Sequence, residues 1–237
     1  MEKHNVVVAI PTYNERENVP LIYTEIKKVH PEASILFIDD NSPDGTRSEI
    51  DKLKNSDSSV YSIYRAKKLG LGTAHVAAFE FARNNNFSYV LTMDADLTHD
   101  PKYIPAMLSA GNNSDIVIGS RYADGAQMHN WGTIRLPLTL FWRNMIKYGI
   151  GMPYDCTGAF RLYRVEMLDP QIYSILNSRG FSFNLEALYF FKKKGARISE
   201  VAIQARSRIN GESKLSLGIM WEVLTQYIRL VADRLFY

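Results

Sequence analysis

Short apolar runs alternate with longer amphipathic ones through the first half of the chain. Asn5–Ile10 (NVVVAI) is Val-rich and stops at Pro11. A run without polar alternation suits a strand buried on both faces of a parallel sheet. Val19–Val29 follows, with Leu21, Ile22, Ile26 and Val29 on one side of a helix. Pro20 falls in its first turn, where a missing N–H is tolerated. Ser34–Ile38 (SILFI), Val60–Tyr64, Tyr89–Met93 (YVLTM) and Ile116–Gly119 read as further strands, and Thr46–Leu53 and Thr73–Arg83 as intervening helices. Strand, helix and strand in repetition predict right-handed βαβ units, hence an α/β domain with a mainly parallel, Rossmann-like sheet flanked by helices.

After Arg121 the rhythm changes. Ala123–Arg135 is loop-like, with Gly125, Trp131 and Gly132; Leu136–Ile150 reads as a helix and Ala196–Ile203 as a late strand. Leu215–Tyr237 is a helix of mixed character, with Met220, Leu224, Tyr227 or Ile228, Val231 and Leu235 at helical spacing. It either packs against the sheet or lies as an amphipathic helix at a membrane interface. Met1–Asn5 is too polar to open a signal peptide, and no stretch reaches the roughly 18 apolar residues of a spanning helix.

Ligands of such sheets bind beyond the carboxyl ends of the strands. Three strand ends carry polar clusters: Pro11–Glu15, Asp39–Thr46 and Asp94–Asp96. These are expected to converge on one crevice. Asp94 and Asp96 stand two apart at a strand end, so their carboxylates point the same way. Such a pair suits Mg²⁺ or Mn²⁺, which take carboxylate and phosphate oxygens together. Alone the pair is also what an acidic turn looks like, and Asp100-Pro101 nearby reads as a helix start. Tyr13 offers a flat face for a base, Glu15 an acceptor for ribose hydroxyls, and Asp40 a nucleoside contact; the bland reading of both segments is a turn capping a helix. Leu69-Gly70-Leu71-Gly72-Thr73 precedes a helix and permits close backbone approach to a phosphate, without the full dinucleotide or P-loop pattern. His99 and His129 read as structural.

Charge and cysteine content narrow the picture. A net charge of +3 over 237 residues points to no nucleic acid. Basic residues gather late, with Lys192, Lys193, Lys194, Arg197, Arg206, Arg208 and Lys214 against Glu200 and Glu212. That is a solvated face or one that meets phosphates or anionic lipid. The one cysteine, Cys156, excludes an internal disulfide and favours a reducing compartment.

Taken together, IPTYNERENV (10–19), IDDNSPDGT (38–46), KLGLGTA (68–74), MDADLTHDP (93–101), IGSRY (118–122), DCTGAFRLYR (155–164), GFSFNLE (180–186) and RINGESKLS (208–216) resemble the dolichol-phosphate mannosyltransferases of glycosyltransferase family 2. The resemblance spans nearly the whole chain in family order. It implies a GT-A fold over residues 1–214, with 1–120 binding the nucleotide sugar and 121–214 the acceptor, and a C-terminal amphipathic helix over 215–237. Pro11, Tyr13, Glu15, Ile38 and Asp40 match nucleoside-binding positions. Asp94 and Asp96 match the metal ligands, with Ala95 against the donor. Arg121, Arg135, Arg208 and Lys214 match positions that hold donor and acceptor phosphates, and Thr139 one that helps bind the acceptor phosphate. The chain departs from some members at Thr98, where they place a Gln as third metal ligand, and at Ser182, where they carry a basic residue.

What the resemblance implies is inverting transfer of mannose from GDP-mannose to dolichyl or polyprenyl phosphate, at the cytoplasmic face of a membrane. The enzyme is then peripheral, with a small membrane-anchoring subunit as a further partner. A phosphate acceptor needs cationic guidance more than a base. A sugar-hydroxyl acceptor needs a carboxylate base, and Asp155 is then the candidate. The same chemistry with UDP-glucose or another UDP-sugar onto undecaprenyl phosphate is the nearest alternative. A non-catalytic nucleotide-sugar or lipid-phosphate binding subunit is another.

Overall fold

The structure is a computed structural model. It describes residues 5–123, 135–176, 178, 180, 182–204 and 217–236. Seven strands form one sheet: β1 (Val6–Thr12), β2 (Ser34–Asp39), β3 (Val60–Tyr64), β4 (Tyr89–Thr92), β5 (Ile116–Ser120), β6 (Arg161–Arg164) and β7 (Ile198–Ala202), in the order β3-β2-β1-β4-β6-β5-β7. The pairs β3-β2, β2-β1, β1-β4 and β5-β7 are parallel. β6 runs antiparallel to both of its neighbours, β4 and β5. β4 and β5 therefore point the same way, and the segment leading into β6 lies at their carboxyl ends.

The helices are α1 (Asn18–Val29), α2 (Thr46–Ser56), α3 (Leu71–Asn84), α4 (Ile104–Gly111), α5 (Arg135–Gly149), α6 (Pro170–Ile175), α7 (Phe183–Lys193) and α8 (Leu217–Phe236). Strand residues divide by alternation between the two faces, as a period of two requires. Val7, Ala9, Leu36 and Ile38 join Ala74, Ala78 and Phe79 of α3 with Leu185 and Leu188 of α7. Val6, Val8, Ile35 and Phe37 join Ile22 and Ile26 of α1 with Ile50 of α2 and Met107 of α4. The result is a three-layer α/β/α domain, buried on both faces as the unbroken apolar runs implied.

Most predicted elements appear within a few residues of their expected ends. The pattern missed β6, α4, α6 and α7. β6 is four residues, RLYR, with an arginine at each end and no apolar run. α7 buries eight of its eleven residues, including Asn184 and Glu186, so it lacks the one-sided stripe that marks a surface helix. Asp100-Pro101 does open a 3₁₀ turn, where Asp100 Oδ1 accepts the Lys102 N–H at 3.1 Å. The late helix packs on α7 and α5. Tyr189 and Lys193 of α7 donate to Asp233 at 2.8 and 2.7 Å. Tyr227 Oη donates to the Met145 carbonyl at 3.0 Å, and Arg234 to those of Tyr148 and Gly149.

α3 sits close against the segment that starts α7. A Cβ on Gly72 would lie 2.5 Å from the Ser178 carbonyl oxygen, so the smallest residue is required there. One turn on, His75 is buried with its ring edge-on to Phe183 at 5.4 Å. Burial, helped by the charges of Arg161 and Arg65, pushes its pKa down to about 3. The unfolded chain binds this proton below its ordinary value of 6.5, while the folded chain refuses it until pH is near 3. The stabilisation is complete above pH 6.5 and is lost as pH falls, at up to about 1.4 kcal/mol per pH unit. Denaturant unfolding of His75→Leu at pH 7, 6, 5 and 4 is expected to lose this slope; a slope equal to the wild type's would place the acid sensitivity elsewhere.

Candidate active site

Polar loops follow β1, β2, β4 and β5 at one end of the sheet, and the loop into β6 joins them. Pro11 pairs in register with Ile38, and Thr12 with Asp39. Thr12 Oγ1 donates to Asp39 Oδ1 at 3.1 Å. Asp39 also accepts the Ser42 N–H and hydroxyl, at 2.9 and 2.5 Å, and Ser42 Oγ accepts the Asn14 N–H at 3.0 Å. Asp44 joins the same two loops, accepting from the Arg16 N–H at 3.2 Å and from Thr46. Thr46 Oγ1 in turn accepts the Glu15 N–H at 2.9 Å. Asn14, Asn41 and Leu97 adopt φ near +60° in these loops. Such backbone is uncommon outside glycine and gathers at functional sites.

Asp40, just past the end of β2, is buried. Its Oδ2 accepts the Leu69 and Gly70 N–H groups, both at 3.2 Å, and its Oδ1 pairs with Arg65. Arg65 also donates to Thr73 Oγ1 at 2.5 Å. The Gly-rich segment before α3 is thus fastened to the end of β2. Lys68 of that segment stands 4.0 Å over the Tyr13 ring, covering one of its faces. Glu15 Oε2 accepts from the Asn18 side-chain amide at 2.7 Å, and the Glu15 carbonyl accepts the Asn18 and Val19 N–H groups at the start of α1.

Asp94 and Asp96 follow β4. The Asp94 side chain is 36% exposed, whereas Asp96 is buried. Asp96 Oδ1 accepts both the N–H and the hydroxyl of Thr98, at 3.1 and 2.6 Å. Thr98 therefore orients the second carboxylate of the pair. The Asp94 N–H donates to His99 Nδ1 at 3.1 Å, and Asp94 Oδ2 lies 3.7 Å from the same nitrogen. His99 stacks on Phe160 at 5.3 Å, which packs the acidic turn against the lead-in to β6. Ala95, between the two in sequence, is buried among core side chains. Among the described residues no group of three or more His, Cys, Asp or Glu side chains could hold a metal. Two hard carboxylates that leave coordination positions to substrate and water fit a Mg²⁺ or Mn²⁺ that binds with a diphosphate.

Arg121, just after β5, meets Asp155, just before β6. Its Nε and Nη2 donate to the two carboxylate oxygens, each at 2.9 Å, and Nη2 also donates to Thr157 Oγ1 at 2.8 Å. Burial alone would raise the Asp155 pKa, but the Arg121 charge and hydrogen bonds override it and hold the carboxyl down at about 2. Arg121 is raised in turn, with Asp94 among the charges that act on it. β4 and β5 are two strands apart, about 10 Å. The acidic pair and the arginine therefore face one crevice across β6.

Not every candidate can be placed. Arg208, Lys214, Trp131 and His129 lie outside the described residues, as does most of the predicted 123–135 loop. Arg135 begins α5, whose side chains are described from Thr139 onward. Of the late basic residues, Lys193 pairs with Asp233 at 2.7 Å and Arg197 with Asp115 at 2.9 Å. Sequence reasoning missed Arg65, Arg161 and the pairing of Arg121 with Asp155. An arginine just past a strand end and the Asp-x-Thr spacing were the only signals. Burial pushes the Cys156 thiol up to about 12, so it is unreactive.

The family model described as "Glycosyl transferase family 2" matches residues 7–170. The chain is 36% identical over 228 residues to the undecaprenyl-phosphate mannosyltransferase of Micrococcus luteus, covering 94% of this chain and 93% of that protein. It is also 36% identical over 214 residues to the polyprenol monophosphomannose synthase of Mycolicibacterium smegmatis, covering 89% and 80%. Among solved structures, the glucosyl-3-phosphoglycerate synthase of Mycobacterium tuberculosis, in complex with Mn²⁺, UDP-glucose and phosphoglyceric acid, matches with a TM-score of 0.66 at 17% identity, over 98% of this chain and 79% of that one. TarS of S. aureus in complex with UDP-GlcNAc matches with a TM-score of 0.60 at 19% identity, over 97% and 66%.

Proposed function

The chain belongs to glycosyl transferase family 2, and from that premise we propose that it transfers mannose from GDP-mannose to the phosphate of a polyprenyl or dolichyl carrier, with inversion at the anomeric carbon. The observation that carries the acceptor assignment is the state of Asp155. It is the carboxylate best placed to serve as base for a hydroxyl acceptor, yet it is buried, paired to Arg121 and held near pKa 2. A phosphate monoester, with a second pKa of about 6, is largely dianionic at neutral pH and attacks without a base. What it requires is a cation to bring it to the anionic donor, and Arg121 stands there, joined in this reading by Arg135, Arg208 and Lys214.

Pro11, Tyr13, Glu15, Ile38 and Asp40 form the nucleoside end in this reading. Asp40 contributes by anchoring the backbone of Leu69 and Gly70. Asp94 and Asp96 would hold Mg²⁺ or Mn²⁺, which when bound neutralises the departing nucleoside diphosphate. Ala95 lies against the donor, and Thr139 of α5 helps receive the acceptor phosphate. The acceptor's lipid tail calls for a membrane surface. Among the described residues no helix is long and apolar enough to cross a membrane. α8 instead carries an exposed, uncharged stripe of Trp221, Thr225, Ile228, Ala232 and Leu235 at helical spacing, with exposed Phe141 and Tyr148 on the adjoining α5. An uncompensated apolar stripe on a surface helix suits the interface of a bilayer, here its cytoplasmic face.

Transfer is tested by incubating purified protein in detergent with labelled GDP-mannose or UDP-glucose, polyprenyl phosphate, and Mn²⁺ or EDTA. Label is expected in the organic phase from GDP-mannose with Mn²⁺ only, and at least 10²-fold less with Asp94→Ala. Label from UDP-glucose alone would reassign the donor. Donor binding without turnover, with Asp94→Ala unchanged, would make this a binding subunit. Docking is tested by flotation with anionic liposomes lacking polyprenyl phosphate. Wild type is expected to float without any anchoring subunit and Trp221→Glu/Ile228→Glu to stay behind; equal flotation would remove α8 from the contact.

A further inference from the structure

The crevice holds a carboxylate that the reaction itself does not use. Asp155 has no side-chain exposure, and its loop is fixed from two sides. Glu200 of β7 accepts the Asp155 N–H at 2.8 Å. The fully buried Arg161 of β6 donates to the Asp155 and Cys156 carbonyls, at 3.3 and 2.8 Å. The carboxylate in turn takes Nε, Nη2 and the backbone N–H of Arg121, together with the N–H groups of Thr157 and Gly158 and the Thr157 hydroxyl. Two parallel bonds fix both the position and the plane of a guanidinium, which a single contact cannot do. Nη1 of Arg121 makes no hydrogen bond to any described residue, and the side chain retains 24% exposure. The Tyr122 ring lies 5.5 Å from the Arg121 guanidinium and 4.9 Å from that of Arg143 on α5, so the arginine is also braced toward the helix that carries Thr139.

We propose that Asp155 is the positioning residue of the acceptor site: with Thr157 it locks the Arg121 guanidinium so that its Nη1 edge meets the acceptor phosphate. This rests on the reading above, in which Arg121 receives that phosphate. Asp155 touches no substrate and moves no proton. Its negative charge lets a cation stand in a partly buried place before any anion arrives, and its fork geometry sets where the anion is held. A residue that acts only through Arg121 has nothing left to contribute once Arg121 is gone, whereas one that merely supports the loop still costs affinity.

The test is titration calorimetry of farnesyl phosphate, a short soluble acceptor, into protein saturated with GDP and Mn²⁺. It compares wild type, Arg121→Ala, Asp155→Asn and the double variant. Asp155→Asn is expected to weaken farnesyl phosphate binding roughly 10- to 100-fold, with GDP affinity unchanged. Arg121→Ala is expected to lose at least as much, and the double variant no more than Arg121→Ala alone. Should Asp155→Asn fail to fold, Thr157→Val carries the same comparison, with roughly a several-fold loss in wild type and none beside Arg121→Ala. Losses that multiply in the double variant, or Asp155→Asn binding as wild type does, would overturn the proposal. Wild type that binds GDP but not farnesyl phosphate would sink the acceptor reading and this inference with it.

Discussion

Arg161 stands in the middle of the sheet with no exposure, and its guanidinium donates to main-chain carbonyls of two segments that are otherwise far apart. One is the Asn184 carbonyl at the start of α7, at 2.6 Å; the others are Asp155 and Cys156, in the loop that leads into β6. A buried charge is costly unless it is hydrogen-bonded, and among the described residues Arg161 has only its Nη1 and Nη2 bonds, with Nε left unpaired, so this arrangement tolerates little displacement of either segment. Thr92 adds to it from β4, donating to the Ala159 carbonyl at 2.6 Å. The loop that carries Asp155 is thereby tied to β4, which carries the Asp94–Asp96 pair, and to β7 through Glu200. The geometry of Arg121 follows from that loop.

The antiparallel insertion of β6 has a functional consequence. A wholly parallel sheet would send helices away from this end between β4 and β5. Here β6 brings its own leading loop up between the two carboxyl ends, and the loop supplies a carboxylate for the arginine of β5. One end of the crevice is therefore anionic, with Asp94 and Asp96, and suited to a cation with a diphosphate. The other presents the Nη1 edge of a guanidinium whose charge is balanced by a carboxylate out of solvent. An acidic pair and a guanidinium edge about two strand spacings apart suit the proposed reaction, in which an anionic leaving group departs and an anionic nucleophile arrives. The end proposed for the nucleoside is built differently: Asp39, Asp40 and Asp44 are engaged with neighbouring loops and hold the backbone in place.

Much of this was legible in the sequence. The strands β1 to β5 are apolar runs with no polar alternation, and burial on both faces of a parallel sheet is what such runs permit. The convergence of the three polar clusters follows from that topology alone. β6 was not legible, because Arg161 looks like a surface residue and its burial depends on carbonyls that only the folded chain brings near. α7 was hidden for another reason: it is buried nearly all round, polar Asn184 and Glu186 included, and shows no one-sided apolar stripe. The pairing of Arg121 with Asp155 joins residues 34 apart across an antiparallel strand that was itself missed. The link from Asp40 through Arg65 to the Gly-rich segment likewise arises from packing between β2 and β3, and no local spacing announces it.

In the proposed reaction the nucleophile is a phosphate oxygen received by a pre-set arginine, with no side-chain base. The most direct measurement offers the enzyme polyprenyl phosphate and the free polyprenol of the same length, with GDP-mannose and Mn²⁺, and identifies the lipid products by mass spectrometry. A mannosyl phosphate product is expected from polyprenyl phosphate and none from the alcohol. Mannosylated polyprenol without phosphate would contradict the proposed reaction, because a hydroxyl acceptor needs a base that Asp155, buried and paired, does not provide.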